Sequence, residues 1–240
     1  MKRLLVNFLR RWKLDPFGYH LRHLGRRARR LLVSHDQRLV RNYFAQPGLK
    51  KLHLGCGDYL LQGWLNTDYE PVTPNVCFLD VTRSFPFATD SFAYVYHEHL
   101  IEHLPLAGGI HLLQECFRVL QPGGVMRVTT PDVQFLLNLM QAEKSAQQLA
   151  YLSWETDTYV RWAPRAEDIF VFNNFVRDWG HQFIYDVKTL VRLLGEAGFR
   201  EVKQVALEES HWPELQKLEN VGRMPAGFLA LESFALEAVK

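Results

Sequence analysis

Long apolar runs are missing from this 240-residue chain. No stretch approaches the roughly 20 consecutive apolar residues that a membrane-spanning helix needs, and the first residues lack the apolar segment and small-residue cleavage site of a secretory signal. A cytoplasmic protein is therefore expected. Cysteine is equally sparse: Cys56, Cys77 and Cys116 are odd in number and never spaced Cys-x-x-Cys, which argues against a disulfide framework and a cysteine zinc site. They read as buried thiols in a reducing compartment. What remains, with 48% apolar and 22% charged residues, is a globular chain with length for one large core and one main domain.

The net charge of +2 is small but unevenly spread, because residues 1–45 hold 12 Lys or Arg against Asp15 and Asp36. The remainder is correspondingly acidic. Within this arm Leu4, Leu5, Phe8, Leu9 and Trp12 recur at helical spacing, and Asp15-Pro16 ends that helix. A second helix is expected between Leu21 and Tyr43, with Leu21, Leu24, Ala28, Leu31 and Leu32 on one side. Residues 1–45 thus read as a basic helical arm, packed on the main domain with a solvated face or making peripheral contact with an anionic membrane at its inner surface. Nucleic acid is a poor fit, since the arm lacks interleaved aromatic rings.

From Lys50 onward strand-like and helical runs alternate. Lys51-Leu54, Trp64-Asp68, Val76-Asp80, Ala93-His97 and Val125-Thr130 read as strands, and Ala107-Leu120 and Val187-Ala197 as helices. Glu201-Ala206 and Gly227-Val239 supply two last strands, expected to be antiparallel. The pattern predicts an α/β fold, a doubly wound, mostly parallel seven-stranded sheet over residues 46–240. Ligands of such sheets bind outside the carboxyl ends of the strands, where Gly55, Asp68, Asp80, His97 and Thr130 gather. Gly55-Cys56-Gly57 lets backbone approach a ligand, and a carboxylate closing the next strand can accept hydrogen bonds from ribose hydroxyls.

LHLGCG, LNTD, FLDVT, SFAYVYHEHLIEHL and RVLQPGGVMRVTTPD, in this order and spacing, resemble the class I S-adenosylmethionine-dependent methyltransferases of the type 11 group, over about Lys50 to Phe199. The resemblance implies a Rossmann-like methyltransferase fold and S-adenosylmethionine as cofactor. It places Gly55, Cys56 and Gly57 beneath the methionine part of the cofactor, Asp68 at the ribose, Asp80 and Val81 at the adenine, and His97 nearby. Three positions depart from the pattern. His53 stands where many relatives have an acid, Ala93 replaces the Asp usual after Ser-Phe, and only ten residues separate Gly57 from Asp68, too few for a full first helix.

The segment from His97 to His103 follows the fourth strand, next to the methyl to be transferred. If it begins a helix, His99, Glu102 and His103 share one face. HLIEH also matches the H-x-x-E-H string of inverted zinc peptidases, a reading that would make the flanking motifs accidental. It is more similar to class I methyltransferases that carry E-x-x-E-H here and hold a divalent metal. That likeness implies a metal site of His99, Glu102 and His103, with His181 in WGHQF as distant ligand, suited to zinc, iron or manganese rather than magnesium. The competing reading is a metal-free site in which His103 or His181 is the general base, with His99 as a further catalytic candidate. Purely structural histidines are the third reading.

Between residues 143 and 185 aromatic rings are dense, among them Tyr151, Trp154, Tyr159, Trp162, Phe175 and Trp179, mixed with Arg161, Arg165, Asn173, Asn174 and Arg177. They read as a cap over an acceptor pocket, or as packing of a helical subdomain. Relatives with this motif set are often linked with surface-polysaccharide or lipid-linked glycan assembly. The resemblance therefore favours methyl transfer to a sugar or lipid-linked glycan hydroxyl. The alternatives are a non-sugar small-molecule acceptor and a catalytically inactive cofactor-binding scaffold.

Overall fold

The structure, a computed structural model, describes residues 34–240. The helices expected before residue 34 lie outside the described residues. Helix α1 (His35–Ala45) precedes a seven-stranded sheet made of β1 (Lys51–Leu54), β2 (Leu65–Asp68), β3 (Cys77–Phe78), β4 (Phe92–Glu98), β5 (Leu120–Pro131), β6 (Arg200–Val205) and β7 (Ser233–Val239). Their order is β3-β2-β1-β4-β5-β7-β6. β1 to β5 are parallel, and β7 runs antiparallel to both neighbours. The expected α/β, mostly parallel seven-stranded architecture is thus present. One direction differs from expectation: β7 is antiparallel, whereas β6, paired only to β7, runs with the parallel set. Gly227-Val239 also divides, because Phe228–Glu232 forms a short helix before β7 begins.

Helix α2 (Leu106–Val119) connects β4 to β5, and α3 (Val133–Leu139), α4 (Ala146–Thr158), α5 (Asp168–Arg177) and α6 (Val187–Ala197) lie between β5 and β6. Alternation decides what each strand face contributes. Leu52 and Leu54, Val95, Met126 and Val128, and Leu236 and Ala238 point into the main core, where Leu112, Leu113 and Cys116 of α2 and Leu190 and Leu194 of α6 meet them. Leu39, Val40, Tyr43 and Phe44 of α1 pack against the same core. The helices that cover the sheet therefore gather on one face.

The opposite face is covered by a helix-poor segment. Ten residues between Gly57 and Asp68 leave no helix in the β1–β2 connection. Residues 206–224 lie over that face instead, with Leu215 and Leu218 packed on Trp64, Tyr96 and Val125. Arg127 of β5, fully buried, holds the segment. It donates through Nε to Glu219 Oε1 at 2.7 Å, through a terminal nitrogen to Glu237 Oε1 at 2.7 Å, and to the carbonyls of Glu209 and Ala206.

The aromatic-rich stretch forms a second core of Phe135, Leu136, Tyr151, Val160, Phe175 and Phe228. Most of the rings counted as acceptor-facing in the sequence are consumed by packing, while Tyr159, Trp162 and Trp179 remain 41–56% exposed. Two acids are enclosed there. Glu155, 1% exposed, sits 3.5 Å from Asn174 Nδ2, and Glu232 accepts the Tyr151 hydroxyl. Burial, with the Glu232 charge beside it, pushes the Glu155 carboxyl up to about 8. Between its ordinary value of 4.5 and about 8 the native state keeps a proton that the unfolded chain has shed, so stability falls as pH rises through this window, at up to about 1.4 kcal/mol per pH unit. Glu155→Gln should flatten that slope and melt higher than wild type at the alkaline end, while matching it near the acid end. Denaturation at both ends checks this, and an unchanged slope would contradict it.

Candidate active site

The carboxyl ends of β1, β2 and β4 bring the glycine loop, Asp68 and the histidine segment to one edge of the sheet. Gly55 and Gly57 have φ of 63° and 54°, the left-handed region that only glycine enters without strain. A Cβ on Gly55 would stand 2.9 Å from Leu100 Cδ1, whereas one on Gly57 would have nothing within 4 Å. Gly57 therefore borders open space, which is what a cradle for a ligand requires. Its N–H donates to Asp68 Oδ2 at 2.8 Å, and Glu70 N–H donates to Oδ1 at 2.6 Å. These bonds fix the carboxylate at the end of β2 and leave lone pairs for further donors. Cys56 is buried, and burial with the Asp68 charge pushes its thiol up to about 12, so it is an inert lining group.

Asp80 closes a turn. Its Oδ1 accepts from Thr82 N and Oγ1, and Arg83 Nε lies 3.2 Å from Oδ2. Val81 packs on the main core from a half-buried position. His97 corrects the sequence reading. Its ring is 0% exposed, makes no hydrogen bond, and is held neutral by burial, with a value down to about 3. On β4 it shares the parity of Val95 and faces the apolar core, so no donor-facing surface is left to it.

The segment after β4 is not an α-helix. His99 has φ 47°, and Ile101–His103 form a single 3-10 turn. His99 is partly buried: its Nε2 is hydrogen-bonded with Ser233 Oγ at 2.8 Å, and its Nδ1 lies 3.4 Å from Glu102 Oε1 without a hydrogen bond between them. The expected four-residue metal set therefore contracts to three. Ligand atoms of Glu102, His103 and His181 lie within 4.8 Å of one another. His181 arrives on the 178–183 loop, which is stapled to the turn: Gln182 N and Phe183 N donate to Glu102 O, and Gln182 Nε2 donates to His103 O. Trp179 and Gly180, with φ of 58° and 81°, turn the chain so that His181 meets His103, ring centroids 4.9 Å apart.

Glu102 is 0% exposed. Thr130 Oγ1 donates to its Oε2, while Oε1 has no hydrogen-bond partner. Burial drives this carboxyl up to about 8, and the Thr130 hydrogen bond and the Arg223 charge offset it only in part. His181 Nδ1 is bonded to Phe175 O at 2.6 Å, which leaves Nε2 as its free lone pair. Burial and the neighbouring His181 lower His103 to about 4, and burial lowers His181. Two neutral imidazoles and one buried carboxyl with an orphaned oxygen can hold a cation or a proton between them. Glu98, Glu232, Ser233 and Arg223 also border this region and carried no sequence signal, because the last three come from a segment more than 100 residues downstream of β4.

Residues 65–128 match the family model described as a methyltransferase domain. No curated protein sequence matches the chain. Solved structures similar in fold include a SAM-dependent methyltransferase from Archaeoglobus fulgidus, at 19% identity and TM-score 0.48, covering 88% of this chain and 94% of that one. A second is an S-adenosylmethionine-dependent methyltransferase from Mesorhizobium loti, at 14% identity and TM-score 0.46, covering 80% of this chain and 91% of that one. From β2 into β5 the chain is similar to the methyltransferase-domain family, and an S-adenosylmethionine-dependent methyltransferase in general is what that match supports.

The two glycines separate folding from binding. Gly57→Ala should cost only about 1–2 kcal/mol of stability, the strain of a left-handed residue, yet weaken S-adenosylhomocysteine binding ten-fold or more by filling the cradle. Gly55→Ala should lose additional stability through Leu100. Melting curves and calorimetry check both, and wild-type affinity in Gly57→Ala would show that the cradle lies elsewhere.

Proposed function

We propose that the protein transfers the methyl group of S-adenosylmethionine to a hydroxyl of a sugar or lipid-linked glycan, with a divalent metal held by Glu102, His103 and His181. The convergence of those three side chains, together with a Glu102 oxygen left without a hydrogen bond, carries the reading. A metal-ligating imidazole commonly has its second nitrogen fixed by a backbone carbonyl, as His181 has at Phe175 O. Two nitrogens and one oxygen suit zinc, iron or manganese better than magnesium. A divalent ion held there would supply Lewis acidity toward an acceptor hydroxyl.

The chain's own groups do the rest. Gly57 leaves the space for the donor, and Asp68 accepts from ribose hydroxyls. The neutral state of His103 and His181 leaves a lone pair available for the acceptor's proton if no ion is present. Holding donor and acceptor in line accounts for roughly 7–11 kcal/mol of such a barrier. On the acceptor side, Trp162, Phe170, Asn173, Arg177 and Asp178 line an open groove of about 440 Å³. Apolar ring surface beside amide, guanidinium and carboxylate groups is suited to a sugar.

Purified protein should carry a divalent metal by elemental analysis, and His103→Ala and His181→Ala should lose it with at least a ten-fold fall in methyl transfer, while affinity for S-adenosylhomocysteine stays as in wild type. Metal-free protein with undiminished transfer would reject the ion and leave the histidine base. Donor binding with no transfer from labelled donor to any hydroxyl acceptor, across monosaccharides, oligosaccharides and polyprenyl-linked sugars, would reject the hydroxyl reading.

A further inference from the structure

The amino-acid end of the donor lacks an evident receiver in the glycine loop, because Gly57 N–H is already bonded to Asp68 and the β1–β2 connection has no helix to close over it. What stands there instead comes from the other end of the chain. Leu54 pairs with His97, so one step further Gly55 and Glu98 lie side by side on strands about 4.8 Å apart. Leu100 touches the Gly55 position from the same turn. Glu98 Oε2 accepts from Asn220 N at 3.0 Å and from the Tyr96 hydroxyl at 3.2 Å. Its Oε1 has no hydrogen bond and faces Arg223 at 3.3 Å.

Arg223 makes no other ion pair and no side-chain hydrogen bond among the described residues, and its side chain is 31% exposed. It is nevertheless well placed, since Glu219, four residues earlier, is anchored by Arg127, Thr129 and the Glu208 amide. Tyr59, two residues beyond Gly57, has its phenol raised by burial and, beyond that, by the charges of Glu98, Glu219 and Glu208. A carboxylate and a guanidinium, adjacent, each with unused hydrogen-bonding capacity, form the complement of a zwitterion.

We propose that Glu98 and Arg223 clasp the amino-acid end of S-adenosylmethionine, Arg223 receiving the α-carboxylate and Glu98 the α-ammonium. The proposal rests on the donor reading above. It gives residues 206–224 a ligand-binding role in addition to covering the sheet, and it makes the 3.3 Å pair a site that opens to admit the ligand's own two charges. Burial keeps the Glu98 carboxyl above its usual range, and Arg223 offsets this only in part, as expected of a carboxylate that awaits a second cation.

The test uses two ligands that differ only at this end. S-adenosylhomocysteine has the amino-acid group, and 5′-methylthioadenosine lacks it. By calorimetry on the full chain, Arg223→Met and Glu98→Gln should each weaken S-adenosylhomocysteine about 10- to 100-fold, with 5′-methylthioadenosine unchanged. Arg223→Met lies at the surface and guards against misfolding of the Glu98 variant. Equal loss for both ligands, or loss for neither, would overturn the clasp while leaving the donor reading intact. Wild type that binds neither ligand would overturn the donor reading and the clasp with it.

Discussion

One buried cation organises the half of the molecule that lacks helices. Arg127 reaches 0% exposure because two carboxylates and two backbone carbonyls take up its donors. A guanidinium suits this place, since its planar fork offers five fixed donors, where an ammonium would offer three on a flexible stem. Removing one partner of such a buried group typically costs 3–5 kcal/mol, because the remaining charge is left without an offset. Residues 206–224 therefore cannot leave the sheet without exposing an unpaired charge. The bareness of this face follows from ten residues in the β1–β2 connection, and the network is what makes so short a connection tolerable.

That network also decides where the atoms of the proposed site stand. Glu219 is tied to Arg127, Thr129 and the Glu208 amide, and the next residue gives its N–H to Glu98. Arg223 is thereby delivered to the end of β4 from a chain segment of no regular structure beyond single 3-10 turns. On the other side of the same turn, three hydrogen bonds between residues 182–183 and Glu102–His103 deliver His181. Both deliveries are made by backbone bonding rather than by helix or strand, so loops position these groups and buried polar contacts hold the loops.

Much of this was legible in the sequence where the signal is local. Period-two runs located β1, β2, β4 and β5 to within a few residues, and Val187–Ala197 emerged as a helix with the expected bounds. The ten-residue step from Gly57 to Asp68 announced the missing helix. What would cover the bare face was illegible, because Arg127 and Glu219 are 92 residues apart in the chain and neither lies in a periodic pattern. His97 and His99 were misplaced for a different reason. Helical spacing groups His99 with Glu102 and His103, but a left-handed residue at His99 resets the phase, and strand parity turns His97 into the core. The aromatic stretch looked like a pocket wall by composition. Composition does not separate rings that pack from rings that face solvent, and Tyr151 and Phe175 pack.

The left-handed turn at His99 is the step that makes a two-sided site possible. In an uninterrupted strand Glu98, Leu100 and Glu102 would lie on one face by alternation. With φ at 47° the chain instead departs from the strand after Glu98, so that Glu98 remains on the helix-poor face beside Arg223 while Glu102 turns toward His103 and His181. His99 can hold this conformation because its ring is anchored through Nε2 to Ser233 of β7, with Nδ1 lying beside Glu102. A non-glycine residue keeps left-handed geometry only where its surroundings over-determine it. The positive φ, the ring bonded to Ser233 and the absence of His99 from the three-residue cluster then go together. His99 thus stands between the group brought by the 206–224 segment, Arg223 beside Glu98, and the group brought by the 178–183 loop, His181 beside His103, within six residues of β4 and its turn.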